Sequence, residues 1–556
     1  MRRLNDPACR TQSSLVTAGN MFLAVILVLS GWTAVHGQEN ALPHLLQQGT
    51  ATQLIVHGKP YLVLGGELGN STASSLDYLR PAWAKFLAMH LNTILAPVYW
   101  ELIEPKEGVY DFSSVDSLIV EARRHEIRLV LLWFGTWKNS MSSYVPSWVK
   151  EDDARFPRSK DKRGRSMETL TAFSASNLDA DKKIFATLMR HLRTFDGDEQ
   201  TVIMIQVENE VGMIPDARDY NAEATKAFQS ELPQGFVNFL QQKGASLQPE
   251  VKKMWESGGR KIAGNWEDVF GKSLQTDELF TAWYFSRYVE QVAAAGEKEY
   301  RLPMYMNAAL IREGYVPGQY PSGGPLPHLL DVWKAGAPSV DLLAPDIYHG
   351  SFVDWTTKFK RADNPLFIPE AGLTPRSGVE GLFAVGQFDA IGFSPFAIES
   401  ADPATQRLTR ANDVLSQLAP VILEHQGKGM TAGMLLDRGR PESRFTFGEY
   451  VLNTSFEPLD RWAAPVADST ACGGGIIVQL GPNEFIVAGS GVIVTFQSLN
   501  KDRPIAGIES IDEGVYQNGV WKPGRRLNGD QSHQGRHMRL PYADFQIQRV
   551  KLYQYR

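Results

Sequence analysis

Short apolar runs alternate with longer amphipathic stretches over most of the chain. Runs rich in β-branched and aromatic residues fall at 62–68, 93–100, 128–134, 202–207, 304–308, 340–347, 366–369 and 391–396. They are continuous rather than alternating, as strands buried on both faces require. Helical patterns lie between them, at 76–90, 115–125, 182–194, 224–242 and 276–300. In 115–125, Val115, Leu118, Ile119 and Ala122 fall on one stripe. Strands alternating with helices predict a parallel sheet. Eight such units predict an α/β fold, a (β/α)8 TIM barrel spanning residues 45–425. That span exceeds the ~250 residues usual for the fold, so long loops must follow some strands. The largest insertion separates the fourth and fifth strands.

Beyond residue 428 the periodicity changes. Segments 473–480 and 484–488 read as two strands about a Gly481-Pro482-Asn483 turn, and 492–496 and 545–555 also read as strands. No strong helical pattern appears there. Residues 428–556 are therefore expected to form a smaller β-rich, sandwich-like accessory domain. Packing on the barrel is its expected role.

Composition narrows the function. The net charge of −6 argues against a nucleic-acid partner. The basic stretch 158–165 contains Asp161 and Gly164 and no aromatic residue, which suits a solvated loop. The 13 Trp suit a large core and also suit the flat faces that pack on sugars, so their number alone does not decide. Met1-Arg2-Arg3, the apolar run 21–29 and the small residues before Gln38 form the pattern of a secretory signal over 1–37. A secreted or periplasmic protein is expected, with no membrane association after cleavage. Cys9 would leave with that signal, and Cys472 would remain alone without a disulfide partner. The 11 His show no metal-ligand spacing, and no phosphate-binding Gly-rich loop precedes a barrel helix, so no cofactor or metal is implied.

Catalytic side chains of such barrels sit at the C-terminal ends of strands. Four strand ends carry acids. The fourth reads Gln206-Val207-Glu208-Asn209-Glu210-Val211-Gly212, three polar residues in a row after a buried strand. Glu210 could protonate a glycosidic oxygen, Asn209 could bind a sugar hydroxyl, and Glu208 is expected to be structural. The seventh reads Ile368-Pro369-Glu370-Ala371-Gly372, a lone carboxylate beside small residues. Gly65-Gly66-Glu67 and Pro345-Asp346-Ile347-Tyr348 end the first and sixth strands. Two carboxyl groups across a barrel mouth are the equipment of glycoside cleavage. Trp100, Trp133 and Trp137 are candidate sugar platforms, with a core role as the competing reading.

An Asn-Glu pair at strand four with a Glu at strand seven resembles a clan of retaining barrel glycosidases. Within it, Gln206–Gly212 is similar to the Gln-Val-Glu-Asn-Glu-Tyr-Gly signature of family 35 β-galactosidases. Asn92, Trp100, Glu104-Pro105 and Gly108-Val109-Tyr110-Asp111-Phe112 resemble that family's pattern after strand two. The resemblance implies removal of terminal β-linked galactose, with retention, from an oligosaccharide or polysaccharide side chain. It makes Glu210 the acid/base, Glu370 the nucleophile, Asn209 a hydroxyl ligand and Tyr348 a hydrogen-bond donor to the nucleophile. It also places Trp100, Glu101 and Trp137 near the sugar. The chain departs from the signature at Val211, at Glu101 and at Gly135-Thr136-Trp137, as a divergent branch would. Family 42 β-galactosidases share the architecture. Other β-glycosidase activities (glucosidase, mannosidase, exo-glucosaminidase) and a non-catalytic sugar-binding barrel are the alternatives. The mechanism implies that Glu370's charge raises the pKa of Glu210 and that the two carboxyl groups lie ~5–5.5 Å apart.

Overall fold

A computed structural model of the protein describes residues 41–464 and 466–556; the signal pattern at 1–37 lies outside them. Eight strands close into a barrel in chain order. They are β1 (Val63–Glu67), β2 (Thr93–Tyr99), β3 (Arg128–Phe134), β4 (Val202–Gln206), β5 (Met304–Ala309), β6 (Leu342–Ile347), β7 (Ile368–Ala371) and β8 (Gly392–Pro395). All neighbouring pairs are parallel. All eight apolar runs became barrel strands because each is buried on both faces, as a parallel barrel demands.

Leu95, Val130, Leu132, Ile203, Tyr305, Leu342 and Phe367 fill the barrel interior. Its inner cluster is extended by Leu54 and Val56 from a small antiparallel sheet, His44–Gln48, Ala51–Val56 and Lys59–Tyr61. That sheet, which apolar periodicity had not separated from the barrel, has strands too short to announce themselves. It is tied to the turn that follows the last barrel helix, Arg407–His425, by a hydrogen bond from Thr50 N to Gly427 O at 3.1 Å. A Cβ at Gly49 would lie 2.1 Å from the same oxygen, so this crossing accepts only glycine.

The insertion after β4 carries helices Ala222–Gln229, Gln234–Lys243, Pro249–Ser257, Trp266–Phe270 and Leu274–Glu299. The single helical pattern at 224–242 is two helices, because Pro233 cannot donate within a helix and sits before the second. The basic stretch is not an open loop. It forms a hairpin of Arg158–Lys160 with Ser166–Leu170, and the Arg165 and Asp161 side chains pair at 2.7 Å in its turn.

The C-terminal region forms two antiparallel sheets around a second core that includes Met434, Leu452, Ile477, Phe485 and Val550. One sheet has the order Thr431–Asp437, Cys472–Gly481, Glu484–Ser490, Gln546–Tyr555, Ile505–Gln517, Val520–Leu527; the other pairs Glu442–Phe447, Tyr450–Phe456, Val492–Ser498 and Met538–Leu540. Long strands such as Ile505–Gln517 escape a reading by apolar runs because most of their side chains are only half buried. Gly433 packs on the backbone of the helix Ser377–Phe388, and Arg407 donates to Ser490 Oγ at 2.8 Å. This region is packed directly on the barrel.

Candidate active site

The chain leaves β4 in an unusual conformation. Glu208 and Glu210 both adopt the left-handed backbone region, with φ of 61° and 45°. Such residues cost about 1–3 kcal/mol each and persist where the surroundings over-determine them. The surroundings do so here. The carboxylate of Glu208 accepts from the backbone N–H of Thr136 (3.1 Å) and Trp137 (2.7 Å). Glu210 N donates to Asn307 Oδ1 (2.9 Å), and Ser140 Oγ donates to the Glu210 carbonyl (2.5 Å). Behind Glu208 lies buried Asp181, which accepts from Trp133 Nε1 (3.0 Å), Thr136 Oγ1 (2.9 Å) and Tyr288 OH (3.1 Å). Burial, and then the charge of Asp181, holds the Glu208 carboxyl well above the usual carboxylate range. Glu208 therefore anchors the strand end, and Glu210 is aimed into the mouth.

Glu370 ends β7 and pairs in register with the strand next door, where Asp346 lies opposite it. Carboxylate oxygens of Glu210, Asp346 and Glu370 lie within 4.8 Å of one another. Tyr348 OH donates to Glu370, and Asn139 Nδ2 donates to Glu210. Asn307 links the two sides, because its amide also donates to Asp346 Oδ2 at 2.7 Å. Lys138 Nζ donates to Asn209 Oδ1 at 2.7 Å, which leaves Asn209 Nδ2 buried and unpartnered within the protein. That free donor suits a sugar hydroxyl.

Crowding of acids beside the Lys138 cation sets the electrostatics. The Glu370 carboxyl is pushed up to about 7, by burial first and then by the charge of Glu210; Lys138 and the Tyr348 hydrogen bond oppose the rise. Glu67 and Asp346 are held well above the usual range, by burial first and by Glu370 next. Glu67 is 1% exposed and contacts Glu370. Both Glu67 carboxyl oxygens are buried without a hydrogen-bond partner, and that burial beside Glu370 disfavours the charged form of Glu67.

Glu210, Asp346 and Glu370 are also the one cluster among the described residues able to offer three ligand atoms to a metal ion. Each already accepts a hydrogen bond from Asn139, Asn307 or Tyr348.

Glu210, Glu370, Asn209 and Tyr348 are thus brought together. Two expected sugar contacts, Trp100 and Trp137, are corrected. Trp100 is fully buried, stacks on Trp133 and donates to Glu104 Oε2 at 2.9 Å. Trp137 is fully buried against Phe285 and Tyr288. Both are core residues because the strand ends they follow turn their rings outward, between barrel and helices. The carboxylate of Glu101 pairs with Lys150 at 3.0 Å. Trp133, too, lies in the core. Lys138, Asn139 and Asn307 were missed. They are amide or cationic residues at the ends of β3 and β5, and a search for acids alone passes over them.

Comparison with known proteins finds partial matches. Residues 80–248 match the family model for β-galactosidase of glycoside hydrolase family 42, and residues 408–539 match a domain of unknown function (DUF5597). A β-galactosidase of Xanthomonas manihotis is 28% identical over 214 residues, 37% of this chain and 32% of that protein. The human β-galactosidase-1-like protein 3 is 28% identical over 206 residues, 34% of this chain and 29% of that protein. The matched segments span about a third of the length of these curated relatives. Among solved structures, the β-galactosidase of Rahnella sp. R3 aligns with a TM-score of 0.47 at 15% identity, covering 67% of this chain and 58% of that one. That of Bacillus circulans sp. alkalophilus aligns with a TM-score of 0.45 at 15% identity, covering 65% and 57%. The chain folds as a TIM barrel, and its matched segments resemble β-galactosidases. The model that matches is family 42, not family 35, so the finer placement drawn from Gln206–Gly212 is corrected to this broader one.

Proposed function

We propose that this protein is a retaining exo-β-galactosidase that removes terminal galactose from oligosaccharide or polysaccharide side chains. The observation that carries the reading is the approach of Glu210 and Glu370 to within 4.8 Å across the barrel mouth. Retaining enzymes hold their carboxyl groups at ~5–5.5 Å, and inverting ones hold them ~6.5–9.5 Å apart to admit a water. The β-galactosidase model and relatives support the sugar. Export, expected from the apolar run at 21–29, belongs to the same proposal.

Glu370 attacks the anomeric carbon. The bond from that carbon to the leaving oxygen breaks, and Glu210 passes its proton to that oxygen. Tyr348 donates to Glu370 and favours its ionised form for the attack. The covalent glycosyl-enzyme removes the Glu370 charge. Glu210 then takes a proton from water, whose oxygen attacks the same carbon and frees Glu370. Asn209 Nδ2 holds a sugar hydroxyl beside the reacting centre.

The test is p-nitrophenyl β-D-galactoside hydrolysis by the wild type and by Glu210→Gln and Glu370→Gln. Wild-type release should fall by about 10²–10⁴-fold without the acid/base, a usual range for such a group. Loss of the nucleophile should be at least as severe. NMR of the first product should show the β-anomer. An α-anomer, or two variants as active as wild type, sinks the proposal. Activity confined to β-glucoside, β-mannoside or β-glucosaminide keeps the mechanism and replaces the sugar.

A further inference from the structure

The loop that leaves β3 grips the end of β4 residue by residue. Thr136 and Trp137 donate backbone N–H groups to Glu208, Lys138 donates to Asn209, and Asn139 and Ser140 donate to Glu210. The backbones of Lys138 and Asn209 also form a parallel bridge, which sets the two residues side by side. Lys138 is 3% exposed, and Asn209 is fully buried. The Lys138 nitrogen lies 2.7 Å from Asn209 Oδ1 and 4.8 Å from the centre of the Phe134 ring.

A buried cation is costly unless it is paired. The side chain that Lys138 hydrogen-bonds is a neutral amide, and Glu67 and Glu370 act on it through space. A serine or a second amide would satisfy Asn209 Oδ1 without that cost. What sets an ammonium group apart is that it carries donors only. An amide can turn either end toward a partner that both donates and accepts. Toward an ammonium group only its oxygen fits, so its N–H groups must point the other way. Asn209 Nδ2 is indeed a buried atom with no partner inside the protein.

We propose that Lys138 is a positioning residue that locks the Asn209 amide in one orientation and keeps a hydrogen-bond donor, rather than an acceptor, facing the sugar. The proposal rests on the glycosidase reading of the mouth. It gives Lys138 a part in the reaction without contact to substrate, and it makes that part act through Asn209.

The experiment compares the wild type with Lys138→Met, Lys138→Gln, Asn209→Ala and the two double variants that combine each Lys138 substitution with Asn209→Ala. The substrate is the p-nitrophenyl β-D-galactoside, β-D-glucoside or β-D-mannoside that the wild type cleaves fastest. Each protein is read at its own optimum pH, so that loss of a charge near Glu370 does not enter. Asn209→Ala should lower kcat/KM by about 100-fold, because hydrogen bonds to a sugar hydroxyl strengthen in the transition state. Lys138→Met should lower it by about ten-fold or more, chiefly in kcat, as a displaced positioning group does. Lys138→Gln can donate to Asn209 but can also accept from it, so it should fall short of wild type as well. It also supplies the comparison should the methionine variant not fold. Each double variant should be no slower than Asn209→Ala alone, since two residues that act as one unit are not additive. Losses that multiply in the double variants overturn the proposal, as does a Lys138→Gln enzyme as fast as wild type. A wild type that cleaves none of the aryl glycosides overturns the glycosidase reading and this proposal with it, whereas multiplied losses in an active enzyme overturn this proposal alone.

Discussion

Replacing Tyr348 with phenylalanine isolates one hydrogen bond to the proposed nucleophile, Glu370. The ring, its place and its packing on Phe396 are retained, and only the donor to Glu370 is lost. A hydrogen bond to a charged group contributes about 1.5–3 kcal/mol. Tyr348 is 49% exposed, so water replaces part of the loss and the lower end applies. At 1.36 kcal/mol per pKa unit, Glu370 should rise by about one unit. Its starting point is about 7, and the catalytic form is the ionised one. The acidic limb of kcat/KM against pH should therefore move from about 7 to about 8. Below the limb the variant should be slower by about ten-fold, and on the alkaline side of both limbs the deficit should shrink. Initial rates of p-nitrophenol release, read after an alkaline quench, provide the profile. A uniform fall at every pH, with the limb unmoved, would show that Tyr348 places the substrate and does not tune the nucleophile.

Two further outcomes follow from the same network. Glu370 binds its proton more tightly in the folded chain than its ordinary value of 4.5 allows. Its neutral form thus favours folding below 4.5, and that contribution disappears as pH rises through about 7. Glu370→Gln, always neutral, should gain in Tm over wild type as pH climbs across that window and show no gain below it; a gain constant with pH would refute the assignment. Asp181→Ala would strip the acceptor from Trp133, Thr136 and Tyr288, and each orphaned buried donor costs about 1–3 kcal/mol. Urea unfolding should show a loss of several kcal/mol, and a shift below about 1 kcal/mol would mean that water takes over the site.

The barrel was legible in the sequence because its strands are buried on both faces, which writes each one as an unbroken apolar run. The acids at the ends of β4 and β7 were legible for the same reason, since a polar residue stands out at the end of such a run. A strand end fixes where a side chain begins and not which neighbours it meets. That Trp100 and Trp137 face the helices, that Glu101 pairs with Lys150, and that Lys138, Asn139 and Asn307 converge on the two acids depend on barrel closure. Closure also sets the electrostatics of the centre. Glu67 and Glu370 stand more than 300 positions apart in the chain, and burial in one mouth holds both carboxyl groups above the usual range. The order of apolar and polar residues along the chain determined the architecture and named the two candidate acids. The geometry and charge around those acids come from groups remote in sequence, and the tertiary structure alone brings them within reach.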